Sequence, residues 1–250
     1  MNEVDDVRAI GIDVGGSGCR LAVVNTATGE VEGNVVRLGH DLDTSADEIL
    51  EALRRALDGF PLLPVGLGFP GRVDGTTVRT APNLRSTWPG TDLAQALARP
   101  NLVLLNDADA AAVAEQRLGA AAGENGTVLT ITVGTGLGSG VHHGGRLVPG
   151  FELGLLPHPT RGGVLEAHAS GRARRLEALD LATWATRFNE ALAVMEVAID
   201  ADLIVVGGGL IEHWEDVAGH LEANAPLQKA ELGAEAGLVG AALAAADLSA

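Results

Sequence analysis

One pattern, strand then glycine turn then strand, occurs twice in the chain and limits its architecture more than any other feature. The copies are RAIGIDVGGSGCRLAVVN (8–25) and GTVLTITVGTGLGSGVHHGGRLV (126–148). In each, short β-branched runs flank a cluster of chain-reversing residues, as in a hairpin. Laying Val14-Gly15-Gly16-Ser17 over Val133-Gly134-Thr135-Gly136 gives an offset of 119 positions in a chain of 250. That spacing predicts a duplicated α/β unit.

The intervening sequence fits such a unit. SADEILEALRRALDGF (45–60) has a Ser N-cap, early acids and late arginines, with apolar residues at helical spacing. LPVGLGFPG (63–71) reads as a strand entering a Pro-Gly loop, TDLAQALA (91–98) as a short helix, and NLVLLND (101–107) as a buried strand feeding the helix ADAAAVAEQRLG (108–119). GAAAGENG (119–126) reads as an exposed loop, 166–200 as helix-rich, and ADLIVVGGGLIEHWEDVAGHL (201–221) as strand, triple glycine and helix. The expected domains are 1–108, joined by a C-terminal helix (235–250), and 109–234, with a cleft between them.

A formal net charge of −16 argues against a non-specific grip on nucleic acid or anionic lipid. The single Cys19 excludes an internal disulfide and a cysteine-built zinc site, as expected of a protein kept in a reducing cytoplasm. The N-terminus lacks a signal-peptide apolar core, and no apolar run approaches the roughly 20 residues of a membrane span.

Residues at several places are candidates for chemistry. In DVGGSG, the amides of Gly15, Gly16, Ser17 and Gly18 can form a nest for phosphate oxygens, and Asp13 can hold Mg²⁺ through water. Gly134, Thr135 and Gly136 can form a second nest, the alternative for both being plain hairpins whose glycines permit positive φ. Gly208 suits either a phosphate contact or close backbone packing. In LLNDAD, Asn106 and Asp107 are helix caps or, at the end of a buried strand, a hydroxyl ligand and a general base. Asn83, Glu152 and Glu166 can complete a sugar pocket or be a turn residue, a solvated acid and a first-turn acid. His142-His143 reads as solvent-facing hairpin, since neighbours on a strand face opposite sides and do not share a metal.

In order, GIDVGGSG, GFPG, VRTAPNL…W, NDADAAAVAE, VGTGLGSG, LVPGFELG and VVGGG resemble the sugar kinases of the repressor/ORF/kinase (ROK) family, most of all its bacterial polyphosphate glucokinases. The resemblance runs from about residue 8 to 245. It implies two actin-like, ribonuclease-H-like α/β domains of ATPase type and phosphoryl transfer from polyphosphate, ATP or both to the 6-hydroxyl of a hexose, with glucose foremost. It implies Mg²⁺ as cofactor, no nucleic-acid or membrane partner, and a homodimer. Asp107 matches the catalytic base, and Asn83, Asn106, Glu152 and Glu166 the sugar ligands. Asp13, Gly15, Gly16, Ser17, Gly134, Thr135 and Gly136 match the donor loops. Leu155 stands where the family commonly has His, Arg20 where the polyphosphate-using branch often has Lys, and the cysteine-rich zinc motif is absent. A long polyanionic donor would need a basic groove, for which Arg72, Arg79, Arg85 and the run GRARR (171–175) are available. The rival readings are an ATP-dependent kinase for another hexose, a non-catalytic sugar binder, and a repressor. The last is disfavoured because barely eight residues precede the first strand.

Overall fold

The computed structural model describes residues 7–41, 43–82, 84 and 87–248. It divides into two units, Met1–Ala114 with Glu235–Ala250, and Glu115–Ala234. The first unit contains β1 (Arg8–Gly15), β2 (Gly18–Asn25), β3 (Val31–Gly39), α1 (Ala46–Leu57) and β4 (Val65–Phe69). It continues through β5 (Val73–Asp74), β6 (Thr77–Val78), α2 (Leu93–Ala96) and β7 (Val103–Asn106) into α3 (Asp107–Leu118), within which the division falls. The second contains β8 (Thr127–Val133), β9 (Leu137–His143), β10 (Arg146–Val148), α4 (Glu166–Ala169), α5 (Gly171–Leu176) and α6 (Leu181–Ala198). There follow β11 (Leu203–Gly208), α7 (Trp214–Val217) and β12 (Leu227–Lys229), and the chain returns to the first unit with α8 (Ala236–Asp247).

The sheets have matching topologies. Their orders are β3-β2-β1-β4-β7 and β10-β9-β8-β11-β12. In each, a three-stranded antiparallel ribbon is followed by two strands parallel to the first. The sequence repeat therefore corresponds to a repeated α/β unit.

Strand alternation gives the first sheet two unlike faces. Ile10, Ile12 and Val14 of β1 join Val65, Leu67 and Phe69 of β4 in a core with Ile49, Leu50, Leu53 and Leu57 of α1. Gly11 of β1 and Gly66 and Gly68 of β4 are among the intervening positions, and α8 packs there. A Cβ on Gly66 would lie 1.8 Å from the Ala241 carbonyl oxygen and one on Gly11 2.0 Å from that of Leu238; where α8 meets α3, one on Gly240 would lie 1.7 Å from that of Ala110. Backbone meets backbone along this seam, so no side chain larger than hydrogen fits. At the start of α1 the expected cap forms: Ser45 accepts from the Glu48 amide and Glu48 from the Ser45 amide.

In the second unit, Ile131, Val133 and Val206 share a core with Trp184, Phe188, Leu192 and Met195 of α6. Trp184 stacks on Phe188 at 4.8 Å and donates its indole N–H to the Ala169 carbonyl at 2.8 Å, fastening α6 to the end of α4. The loop after α3 is exposed at residues 122–125, as expected, and is tied down at its start. Buried Glu115 accepts from the amides of Ala120, Glu231 and Leu232, and Gln116 donates to the carbonyls of Ala121 and Glu124.

Two expectations need correction, and one strand falls where none was read. The polar edge strand β3 was not anticipated because its mixed sequence lacks apolar alternation. The triple glycine leads first into a 3₁₀ turn, Gly209–His213, and only then into the short α7. His142 is not solvent-facing: its side of β9 is buried, while exposed His143 hydrogen-bonds Thr127 at 3.0 Å. Burial pushes the His142 imidazole down to about 4, below its ordinary 6.5.

Gly66→Ala should cost about 3 kcal/mol, because the methyl group overlaps the α8 carbonyl, and urea denaturation would measure the loss. His142 is neutral in the folded state and titrates higher when unfolded, so protons favour unfolding below its unfolded value. Stability should fall as pH drops from 6.5 through 4, by up to about 3 kcal/mol from this residue. Denaturation across that range should show a flatter acid limb in His142→Gln.

Candidate active site

In the first unit, the parallel strands β1, β4 and β7 bring two carboxylates to their carboxyl ends. Asp13 is paired in register with Gly68, and Gly68 with Leu105. A Cβ on Gly68 would lie 3.7 Å from the Cα of Asp107, and one on Gly237 3.2 Å from Asp13 Oδ1. With strands about 4.8 Å apart, the ends of β1 and β7 are separated by roughly 10 Å. Asp13 and Asp107 thus flank one glycine strand end, where open α/β sheets place their ligands.

The capping question at LLNDAD is resolved by Asn106. Its Oδ1 accepts from the amides of Ala108 at 2.8 Å and Asp109 at 3.3 Å, and its Nδ2 donates to the Gly71 carbonyl at 3.1 Å. Asn106 therefore caps α3 and ties β7 to the loop after β4. Asp107, the first residue of the helix, accepts from the Ala108 amide at 2.9 Å. Asn83 lies outside the described residues.

Beside this pair, Arg20 donates to Asp13 from the position directly opposite on β2. None of Gly15, Gly16 and Gly18 has positive φ, so the first turn does not require glycine on that ground. Gly18 is needed for packing, since a Cβ would come within 2.8 Å of the Leu38 carbonyl. Burial pushes the neighbouring Cys19 thiol up to about 12, helped by the Asp13 charge, so it is not a nucleophile at neutral pH.

In the second unit, the turn after β8 gathers the other candidates. Gly134 and Gly136 also lack positive φ, and a Cβ on Gly134 would meet nothing within 4 Å. Neither positive φ nor packing requires glycine at 134, and the backbone there is open to approach. A Cβ on Gly136 would lie 2.7 Å from Glu166 Oε2, and that carboxylate accepts from the Leu137 amide at 3.3 Å. Glu166 therefore lies over the turn. Glu152 is fixed from both sides by Ser139, a buried residue that the sequence reading missed. The Ser139 hydroxyl donates to the Phe151 carbonyl and accepts from the Leu153 amide, each at 2.9 Å. A serine in GLGSG carries no signal of that role, because its partners are more than ten residues away.

Gly208 has φ +82°, and a Cβ there would lie 2.5 Å from the Val133 carbonyl, so packing alone accounts for it. Leu155 ends a 3₁₀ turn, Leu153–Leu155, with its amide on the Glu152 carbonyl and its side chain half exposed. Arg79 pairs with Asp74, and Arg85 lies outside the described residues.

Among the described residues no group of three or more His, Cys, Asp or Glu could hold a metal. Asp13, with one oxygen taken by Arg20, suits an ion such as Mg²⁺ that relies mainly on substrate phosphates and water. No helix among the described residues is long and apolar enough to cross a membrane.

The sequence model of the ROK family matches residues 9–173. The chain belongs to the ROK family. Among ROK relatives, the polyphosphate glucokinase of Mycobacterium tuberculosis (strain CDC 1551 / Oshkosh) is 35% identical over 239 residues, spanning 94% of this chain and 89% of the relative. The crystal structure of the inorganic polyphosphate/ATP-glucomannokinase from Arthrobacter sp. strain KM superposes with a TM-score of 0.88 at 34% identity, covering 97% of this chain and 99% of the other. A ROK glucokinase from Streptomyces griseus, solved with glucose and AMPPNP, gives 0.78 at 26% identity, covering 96% and 99%. The ROK fold, with actin-like, ribonuclease-H-like α/β units, is thus the fold of this chain.

Ser139→Ala should free the 151–153 segment and leave the Leu153 amide without its acceptor. A loss of about 1–3 kcal/mol is expected, with faster hydrogen exchange at that amide.

Proposed function

We propose that this protein is a hexose kinase that transfers a phosphoryl group from inorganic polyphosphate or ATP to the 6-hydroxyl of glucose. The observation that carries the reading is Asp107 at the carboxyl end of β7, with Asp13 two strands away and only a glycine strand end between them. In such an enzyme Asp107 accepts the proton of the 6-hydroxyl as that oxygen attacks the terminal phosphorus. The new O–P bond forms while the bridging P–O bond of the donor breaks, and the shortened donor leaves with the bridging oxygen. The chain's own contribution is positioning and charge stabilisation.

Asn83, Asn106, Glu152 and Glu166 are assigned to sugar hydroxyls. Asn106 contributes mainly by holding its loop, given its cap and its bond to Gly71. Backbone amides at Gly15, Gly16, Ser17 and Gly18, and at Gly134, Thr135 and Gly136, are assigned to donor phosphates, and open Gly134 supports this most directly. Gly208 is a weaker donor candidate. Asp13 would hold Mg²⁺ through water, and the bound ion would neutralise donor charge. Glucose is favoured by the mycobacterial and Streptomyces relatives, and the Arthrobacter glucomannokinase adds mannose as a candidate. Leu155 removes a hydrogen-bonding side chain from the expected sugar pocket, which favours weaker or broader hexose binding. A cytoplasmic, homodimeric enzyme that binds neither nucleic acid nor membrane completes the proposal on the strength of the family resemblance.

The test crosses a hexose panel with ATP, GTP and polyphosphate in a coupled sugar-phosphate assay. Product from glucose with polyphosphate or ATP is expected, and no product from any pair would leave a non-catalytic sugar binder. Asp107→Asn should lower kcat by about 10²–10⁴ with little change in melting temperature. Normal turnover would remove Asp107 from the base role.

A further inference from the structure

The chain is strongly acidic, and many of its arginines are spent on carboxylates. Arg20, Arg54, Arg55, Arg79, Arg161 and Arg187 each pair with an Asp or Glu. Arg172, Arg174 and Arg175 of α5 stand close together in the chain, and no carboxylate partners any of them among the described residues; Arg37, Arg72, Arg99 and Arg146 also lack one but are scattered. Glu177, the acid that follows them, is held by Arg187 in a two-pronged pair at 2.7 and 2.9 Å and does not neutralise them.

This uncompensated charge is fixed against the second glycine turn. A Cβ on Gly171 would lie 2.7 Å from the Gly134 carbonyl oxygen and 3.5 Å from Arg175 Nη1. Gly171 therefore lets the α5 backbone rest on Gly134 and brings the Arg175 guanidinium to the edge of the turn. Ser170 holds the helix there, capping the Ala173 amide at 3.1 Å and donating its own amide to the Glu166 carbonyl at 3.2 Å. Arg172 and Arg175 are exposed beside a turn whose Gly134 has open space where a side chain would stand.

We propose that Arg172 and Arg175 form a docking track for the distal phosphates of a long inorganic polyphosphate chain, beyond those gripped by the turn. The inference rests on the kinase reading and narrows its donor. A linear donor with a negative charge on every unit needs a row of cations past the reacting end, and in a chain at −16 only unpaired arginines supply one. Guanidinium groups bind phosphate oxygens with paired N–H donors.

The test compares the full-length parent with a double variant, Arg172→Gln with Arg175→Gln, and with the Lys pair at the same positions. Two lost phosphate contacts should make the polyphosphate kcat/KM less salt-sensitive. Between 50 and 200 mM salt, the parent should lose about sevenfold more than the Gln pair. At low salt the ratio of kcat/KM for long polyphosphate to that for ATP should fall in the Gln pair and recover in the Lys pair. An unchanged ratio and salt slope would overturn the track, as would a parent that uses ATP but neither uses nor binds long polyphosphate. If no donor yields sugar phosphate, the kinase reading fails separately. Anisotropy of fluorescently labelled polyphosphate then decides the track: weaker binding by the Gln pair upholds it, and equal binding ends it.

Discussion

The seam between α8 and the glycine face of the first sheet is the constraint on which the candidate site depends. Gly11 and Gly66 let the α8 carbonyls approach to distances no side chain would permit, and Gly240 does the same where α8 meets α3. The same packing sets Gly237 beside Asp13, while Gly68 brings the start of α3 close to the carboxyl end of β4. Close backbone packing here positions two acids around one strand end. The largest apolar cluster of this unit lies on the opposite face, against α1.

The second unit repeats the topology but holds its acids differently. Glu166 rests on an amide of the turn after β8, and Glu152 is held through the hydroxyl of Ser139. The Trp184 indole anchors α4 to the large core helix, so the position of Glu166 is linked to the best-packed part of that unit. A duplicated scaffold has thus kept its strand order while its two copies specialise through a few hydrogen bonds at the same turn.

Much of this was legible in the residues. The glycine hairpins, their spacing and the Ser45 cap follow from local chemistry, because turns and caps are decided within a few residues. The candidates Asp13 and Asp107 stood out as acids at strand ends. Edge strand β3 and the 3₁₀ turn after β11 did not, since an exposed strand needs no apolar alternation and a triple glycine fits several backbone paths. His142 was misread because the alternation of a strand shows that two faces differ without saying which one is covered.

The sequence by itself determined the repeat, the α/β class, the acidic balance and the residue types available for phosphoryl chemistry, all of which are local or additive properties. Only the tertiary structure decided which of those residues meet. Asn106 became a cap tied to Gly71, Ser139 the support of Glu152, Gly208 a packing glycine, and Gly171 of α5 a neighbour of Gly134 that brings Arg175 to that turn. These pairings join segments far apart in the chain. They follow from the packing of sheets, helices and loops, which no short stretch of sequence contains.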